Sequence, residues 1–394
     1  MSFPEDFNWG TATASYQIEG AFDDGGRTPS IWDTFSKTPG KVVNADNGDV
    51  ACDHYHRYPE DIKIMKDLGM QSYRFSIAWP RIMPNGTGEV NQEGVAFYNR
   101  LIDALLEAGI QPTATLYHWD LPQPLEDAGG WPTRVVLEPF EKYAYEIGKH
   151  FGDRIKLWAP INESWVLSWL GYGTGDHAPG RKDYDAAIRA SHHTVVAHNL
   201  AVKALKRANP DLLVGPVLSQ SLPDVDNVFD PFQIKVATYL DAHQNKFWMD
   251  AFFKGDYPEL VYEMFGDTLR DVIQPGDLDL VKHDWLGVNY YFNARVGHEV
   301  PMNHPTRGRL FDKLMGLSFE AAPTTQVTDM GWPITPQGLG DLCLRWTREY
   351  GADLPPIYIT ENGMAHADRL VDGAVADPQR IDYLKTHLQA VAQA

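Results

Sequence analysis

Cysteine is nearly absent from this sequence: there are two in 394 residues, Cys52 and Cys343. Two thiols so far apart make no disulfide framework and fit a reducing compartment, so the cytoplasm is the expected location. Long apolar runs are missing as well. No stretch approaches membrane-spanning length, and the opening Met1-Ser2-Phe3-Pro4-Glu5-Asp6 has no basic segment followed by an apolar one. Positive charge is scarce, with 34 Lys and Arg against 53 Asp and Glu and a net charge of −19. That field argues against nucleic acid and anionic membranes as partners, and mildly against a phosphorylated substrate. An assembly of several copies stays open.

Metal and dinucleotide signatures fail too. Cys52-Asp53-His54-Tyr55-His56 has no second Cys/His pair at finger spacing, and His192, His193 and His198 lack the Glu and spacing of a His-Glu-x-x-His helix. Gly171-x-Gly173-x-Gly175 has the wrong spacing for a dinucleotide fingerprint. No cofactor and no metal are expected. Internal repeats, low-complexity tracts and Ser/Gly-rich linkers are also lacking, which predicts one domain over residues 1–394.

What remains is an alternation of short apolar strands with longer helical stretches, the pattern of a parallel sheet with helical crossovers. Seven strands are legible: Phe7–Ser15, Ser72–Ile77, Gln111–Tyr117, Lys156–Ile161, Leu212–Leu218, Trp285–Tyr291 and Pro356–Thr360. Amphipathic helices over Asp61–Leu68 and Tyr98–Ala108 should stop at Gly69 and Gly109. The chain closes on a helical pattern, Pro378–Ala394. Aromatic residues reach 12%, with 12 Trp and 18 Tyr, more than a core needs and suited to stacking on the C–H faces of sugars.

Two strands end in a carboxylate beside an asparagine. Pro355-Pro356-Ile357-Tyr358-Ile359-Thr360 runs into Glu361-Asn362-Gly363, and Trp158-Ala159-Pro160-Ile161 runs into Asn162-Glu163. In parallel α/β folds the carboxyl ends of strands converge on the ligand-binding face. Paired carboxylates there are the minimum machinery for cleaving a glycosidic bond: one protonates the departing oxygen, and the other attacks the anomeric carbon or activates a water.

With Phe7-Asn8-Trp9-Gly10-Thr11-Ala12-Thr13 at the other end of the chain, these motifs resemble those of the glycoside hydrolase family 1 β-glycosidases. The resemblance implies a TIM-type (β/α)8 barrel. Seven of its strands are identifiable, and the eighth, with a family Trp and Glu-Trp segment gripping the sugar, is expected to be missing, as in a C-terminally truncated chain. It further implies a retaining exo-β-glycosidase acting on small β-glycosides by double displacement, with Glu361 as nucleophile and Glu163 as acid/base. Retention places such carboxyls roughly 5–5.5 Å apart. Arg74 and Tyr291 match the positions that support the nucleophile. Gln17, His118, Trp119 and Asn162 match residues gripping sugar hydroxyls, Asn289 is a further candidate, and Trp332 resembles the platform for the leaving group. One departure is Ser164, where the family usually has Pro after the acid/base. Alternatives are a catalytically silent sugar-binding barrel or inactive fragment and, among enzymes, a 6-phospho-β-glycosidase.

Overall fold

The computed structural model of the protein describes residues 3–296 and 325–394. These form two compact units, the larger made of Asn8–Leu218 with Thr268–Gly287 and the smaller of the remaining described stretches.

The larger unit is built on a five-stranded parallel sheet in sequence order: β1 (Gly10–Ala12), β2 (Ser72–Ser76), β3 (Gln111–Tyr117), β4 (Leu157–Ile161) and β5 (Leu213–Val214). Its register is continuous, with Gly10 beside Ser72, Ser72 beside Gln111, Thr113 beside Leu157 and Leu157 beside Leu213. Parallel neighbours need long crossovers, and helices supply them: His54–Asp67, Gln92–Glu107, Leu137–Phe151 and Tyr184–Ala208. Gly69 and Gly109 lie just beyond the first two with φ of 75° and 78°, the left-handed geometry that ends a helix at no steric cost to glycine. Asn91 and Asp183 cap the second and fourth by accepting from the backbone N–H of Glu93 and Ala186.

Under this sheet the aromatics pack as a core. Trp79 stacks on Tyr143 at 5.1 Å, and Trp131 meets Tyr117 edge-on at the same distance, all four rings being fully buried. The Tyr143 hydroxyl contacts the carbonyls of Ile77 and Leu116, satisfying backbone acceptors where β2 and β3 run out.

Two strands differ from the sequence pattern. The first spans only Gly10–Ala12, because Ser15 N–H donates to Ser76 Oγ instead of a ladder carbonyl and Ser15–Ile18 closes a helical turn. The fifth is interrupted at Gly215-Pro216, leaving β5 and a separate β6 (Val217–Ser219). Proline cannot donate to a ladder. At Gly215 a side chain would also strike the Trp285 carbonyl, 2.1 Å from where its Cβ would stand.

The smaller unit contains β7 (Pro223–Val225), the strand β9 (Ala294–Val296) parallel to it, and β10 (Ile357–Glu361). The intervening β8 (Leu286–Asn289) ends within it. Tyr290 N–H donates to Glu361 O and Gln220 N–H to Asn289 O, so the ends of β10, β8 and β6 lie side by side in that order. Helices Gln337–Tyr350 and Pro378–Gln393 pack against each other, and the hairpin of β11 (Leu370–Val371) and β12 (Ala374–Val375) precedes the last helix.

Candidate active site

In the larger unit a side chain from the middle of β2 and side chains just beyond the ends of β3 and β4 meet around one asparagine. Asn162 is fully buried. Its backbone N–H donates to Tyr117 O at 2.9 Å and extends the β3–β4 ladder by one step, which aims its side chain across the strand ends. Arg74 donates to Asn162 Oδ1 at 2.5 Å, which turns the amide nitrogen towards His118 Nε2, 3.1 Å away. The amide N–H of Asn162 points at that ring nitrogen. Trp119 Nε1 donates to the Asn162 carbonyl at 2.9 Å. Three predicted site residues are thus locked to a fourth.

Two backbone outliers flank this knot. Trp119 has φ of 76° and Glu163 φ of 50°, a region that residues with side chains rarely enter. Such strain costs about 1–3 kcal/mol and persists only where surroundings over-determine it, as at ligand sites. Glu163 is 4% exposed, and its N–H donates to Val217 O at 2.9 Å. The helix beginning at Ser164 is wound in the wide π form over Val166–Thr174, a rare form that concentrates at functional positions. Gln17 lies exposed on the Ser15–Ile18 turn.

The smaller unit holds the other set. Tyr291 O–H donates to Glu361 Oε2 at 2.7 Å, a hydrogen bond that favours the ionised carboxylate. Glu361 is the last residue of β10, half-buried, in ordinary strand conformation. Asn289 is fully buried at the end of β8 and accepts from Thr360 Oγ1 at 2.6 Å. Asn362 donates to Tyr290 O and to the Tyr383 hydroxyl, which itself donates to Tyr291 O, so the turn after the carboxylate is tied to the segment carrying its partner. Trp332 is half-buried, with ring centroids 5.4 Å from Tyr291 and 5.1 Å from Phe292.

His192, His193 and His198, set aside on sequence grounds, are core residues. His192 contacts Asp277 at 2.9 Å, His193 the Trp131 carbonyl at 2.8 Å, and His198 meets His283 at 3.1 Å. Sequence reading passed over two neighbours of the site. His177, in the Gly-rich loop, has its ring 5.5 Å from both Trp119 and Trp32, and burial pushes its pKa down. Asp120, directly after Trp119, is fully buried, and desolvation raises it to about 7 despite a hydrogen bond from Ser15 and the charge of Arg27. The only sequence signal for Asp120 was its place in His118-Trp119-Asp120; His177 had none beyond the loop.

The whole chain, residues 1–394, matches the profile of Glycosyl hydrolase family 1. It belongs to that family. Beta-glucosidase A of Acetivibrio thermocellus is 42% identical over 402 residues, an alignment covering 100% of this chain and 86% of that protein. Among solved structures, a psychrophilic beta-glucosidase from Micrococcus antarcticus superposes with a TM-score of 0.93 at 40% identity, covering 100% of this chain and 86% of that one. The beta-glucosidase from Thermotoga maritima in complex with noeuromycin gives 0.89 at 41% identity, covering 99% and 85%. This family 1 protein is a β-glucosidase-like glycoside hydrolase with the (β/α)8 barrel fold class. Among the described residues no helix is long and apolar enough to cross a membrane.

Proposed function

We propose that this family 1 hydrolase is a retaining exo-β-glucosidase of small β-glucosides, with Glu361 as nucleophile and Glu163 as acid/base. The observation that carries the assignment is the Tyr291 hydroxyl on Glu361 Oε2, which favours the ionised, attacking form of that carboxylate. Glu163 is almost wholly buried, and the acid of such a pair must hold its proton near neutrality. In the first step Glu163 gives its proton to the glycosidic oxygen, the C–O bond to the leaving group breaks, and a Glu361 oxygen bonds to the anomeric carbon. In the second, Glu163 takes a proton from water, the oxygen of that water bonds to the same carbon, and the ester to Glu361 opens. Gln17, His118, Trp119, Asn162 and Asn289 act on sugar hydroxyls, Arg74 and Tyr291 support the nucleophile, and Trp332 offers a ring to the leaving group.

Hydrolysis of a dinitrophenyl β-glucoside by two variants tests the roles. Glu361→Ala should lose activity by several orders of magnitude. Glu163→Ala should keep the first step on this activated substrate and fail on alkyl glucosides. Azide should restore its turnover as the β-glucosyl azide, whereas azide with Glu361→Ala should give the α-azide. An α product from Glu163→Ala would reverse the two roles. Preference for a 6-phosphoglucoside would move the substrate class, and sugar binding with no turnover by the parent protein would sink the enzyme reading.

A further inference from the structure

Trp119 is held in a left-handed backbone conformation, and such a residue needs an anchor on each side. On its N-terminal side the anchor is His118 on Asn162, and its own indole N–H bonds the Asn162 carbonyl. The C-terminal side is Asp120. Ser15 O–H donates to Asp120 Oδ2 at 2.7 Å, and Ser15 is in turn fixed to Ser76 by its backbone N–H at 2.7 Å and through its Oγ at 3.1 Å. Ser15 also opens the turn Ser15–Ile18 that carries Gln17. One buried hydrogen bond therefore joins the segment bearing Gln17 to the segment bearing His118 and Trp119.

A structural link of this kind does not require a carboxylate, since burying one is costly and an amide would accept from Ser15 equally well. Asp120 nevertheless lines one polar gap with Ser15, Glu19 and Arg27, with Arg27 favouring its charge and Glu19 opposing it. Glu19 is itself committed elsewhere, to Arg81 and the Tyr98 hydroxyl, as is Arg27, to Asp33. Asp120 Oδ2 is the oxygen that receives Ser15.

We propose that Asp120 is a positioning residue of the sugar site: through Ser15 it sets the Gln17 turn against the His118–Trp119 pair and holds Trp119 in its strained conformation. This rests on reading Gln17, His118 and Trp119 as sugar contacts. Asp120 touches no reacting atom; it acts through its neighbours.

The test is kcat/KM for nitrophenyl β-glucoside, measured well below each variant's melting temperature. Asp120→Ala should lower it at least about ten-fold, and Asp120→Asn, which keeps an acceptor for Ser15, should recover most of the loss. Ser15→Ala should cost about five-fold in the parent but less than about two-fold in a Gln17→Ala background, because both substitutions break one pathway. The proposal is overturned if Asp120→Ala keeps kcat/KM within two-fold of the parent, or if the Ser15 and Gln17 effects multiply. Should Asp120→Ala fail to fold, the Ser15 and Gln17 cycle decides alone. A silent Gln17→Ala would instead refute the sugar-contact reading of that residue, and the comparison of Asp120→Ala with Asp120→Asn would then judge the link through Trp119.

Discussion

Glu163 and Glu361 each close a strand beside an asparagine, yet they are held in different ways. Glu163 sits in left-handed backbone, nearly inaccessible, next to an asparagine that gathers Arg74, His118 and Trp119. Glu361 ends a regular strand, half-buried, with the Tyr291 hydroxyl on its carboxylate. Similar motifs in the two places therefore carry different physics. The first is a strained strand end, where Asn162 joins Arg74, His118 and Trp119 in one hydrogen-bonded network. The second is a carboxylate at the end of a regular strand, with the Tyr291 hydroxyl bonded to Oε2.

If that contrast is right, the largest effect comes from removing the centre of the network. Asn162→Ala should lower kcat/KM on nitrophenyl β-glucoside by about 10²–10³, the scale of losing a preorganised polar contact. It should also reduce stability by about 1–3 kcal/mol, since Arg74 loses a buried acceptor. Chemical denaturation showing unchanged stability would mean that the network is less interdependent than its geometry implies.

Acid should separate the two regions next. Among the described residues, burial lowers the pKa of five histidines in the larger unit, His177, His192, His193, His198 and His283, with His193 and His283 at about 4. In the smaller unit it does so for two, His243 and His387. A histidine kept neutral when folded gains its proton first in the unfolded chain, whose value is 6.5. The stability it contributes is therefore complete above pH 6.5 and lost as pH falls towards the folded value. Asp277 adds to this lower down: burial pushes it up, but hydrogen bonds from Arg134, His192 and the Gln274 N–H outweigh that and hold it at about 2, so its contribution fades below pH 3.8. Hydrogen exchange at pH 4.5 should show amides of helix Tyr184–Ala208 losing protection before those of Gln337–Tyr350. Simultaneous loss would tell against the difference.

A smaller effect probes the other carboxylate. Tyr291→Phe removes the hydroxyl from Glu361 and should lower kcat about 10–100-fold, the worth of one hydrogen bond to a charged group. The melting temperature should hardly move, because both side chains are half-buried. A large loss of stability would show Glu361 to be as embedded as Glu163.

The smallest effect concerns Asp120. Its folded value, raised by burial to about 7 from 3.8, means that the folded state keeps a proton the unfolded state gives up. The stability this contributes is complete below pH 3.8 and lost as pH rises through 7. Asp120→Asn should flatten that slope, so its melting temperature should gain on the parent by about a few degrees between pH 5 and pH 8.

The sequence by itself determined the alternation of strands and helices, the positions of the two strand-terminal glutamates, and the stops at Gly69 and Gly109. Each of these is written in local chemistry: β-branched and aromatic runs, turn residues, and glycine's freedom at positive φ. Tertiary structure decided what no local pattern encodes. The strand predicted over Phe7–Ser15 was cut to three residues because Ser76, 61 positions away, takes the Ser15 N–H. The strand predicted over Leu212–Leu218 was divided where Gly215 runs against the Trp285 carbonyl. Asn162 became the hub of a network only when folding brought Arg74 and His118 to it, and Asp120 became a neutral-range carboxyl only when the core closed over it. Hydrogen bonds across such separations, and the loss of water around a charge, are properties of the packed chain: they depend on which residues meet, and the local sequence fixes only what each can offer when they do.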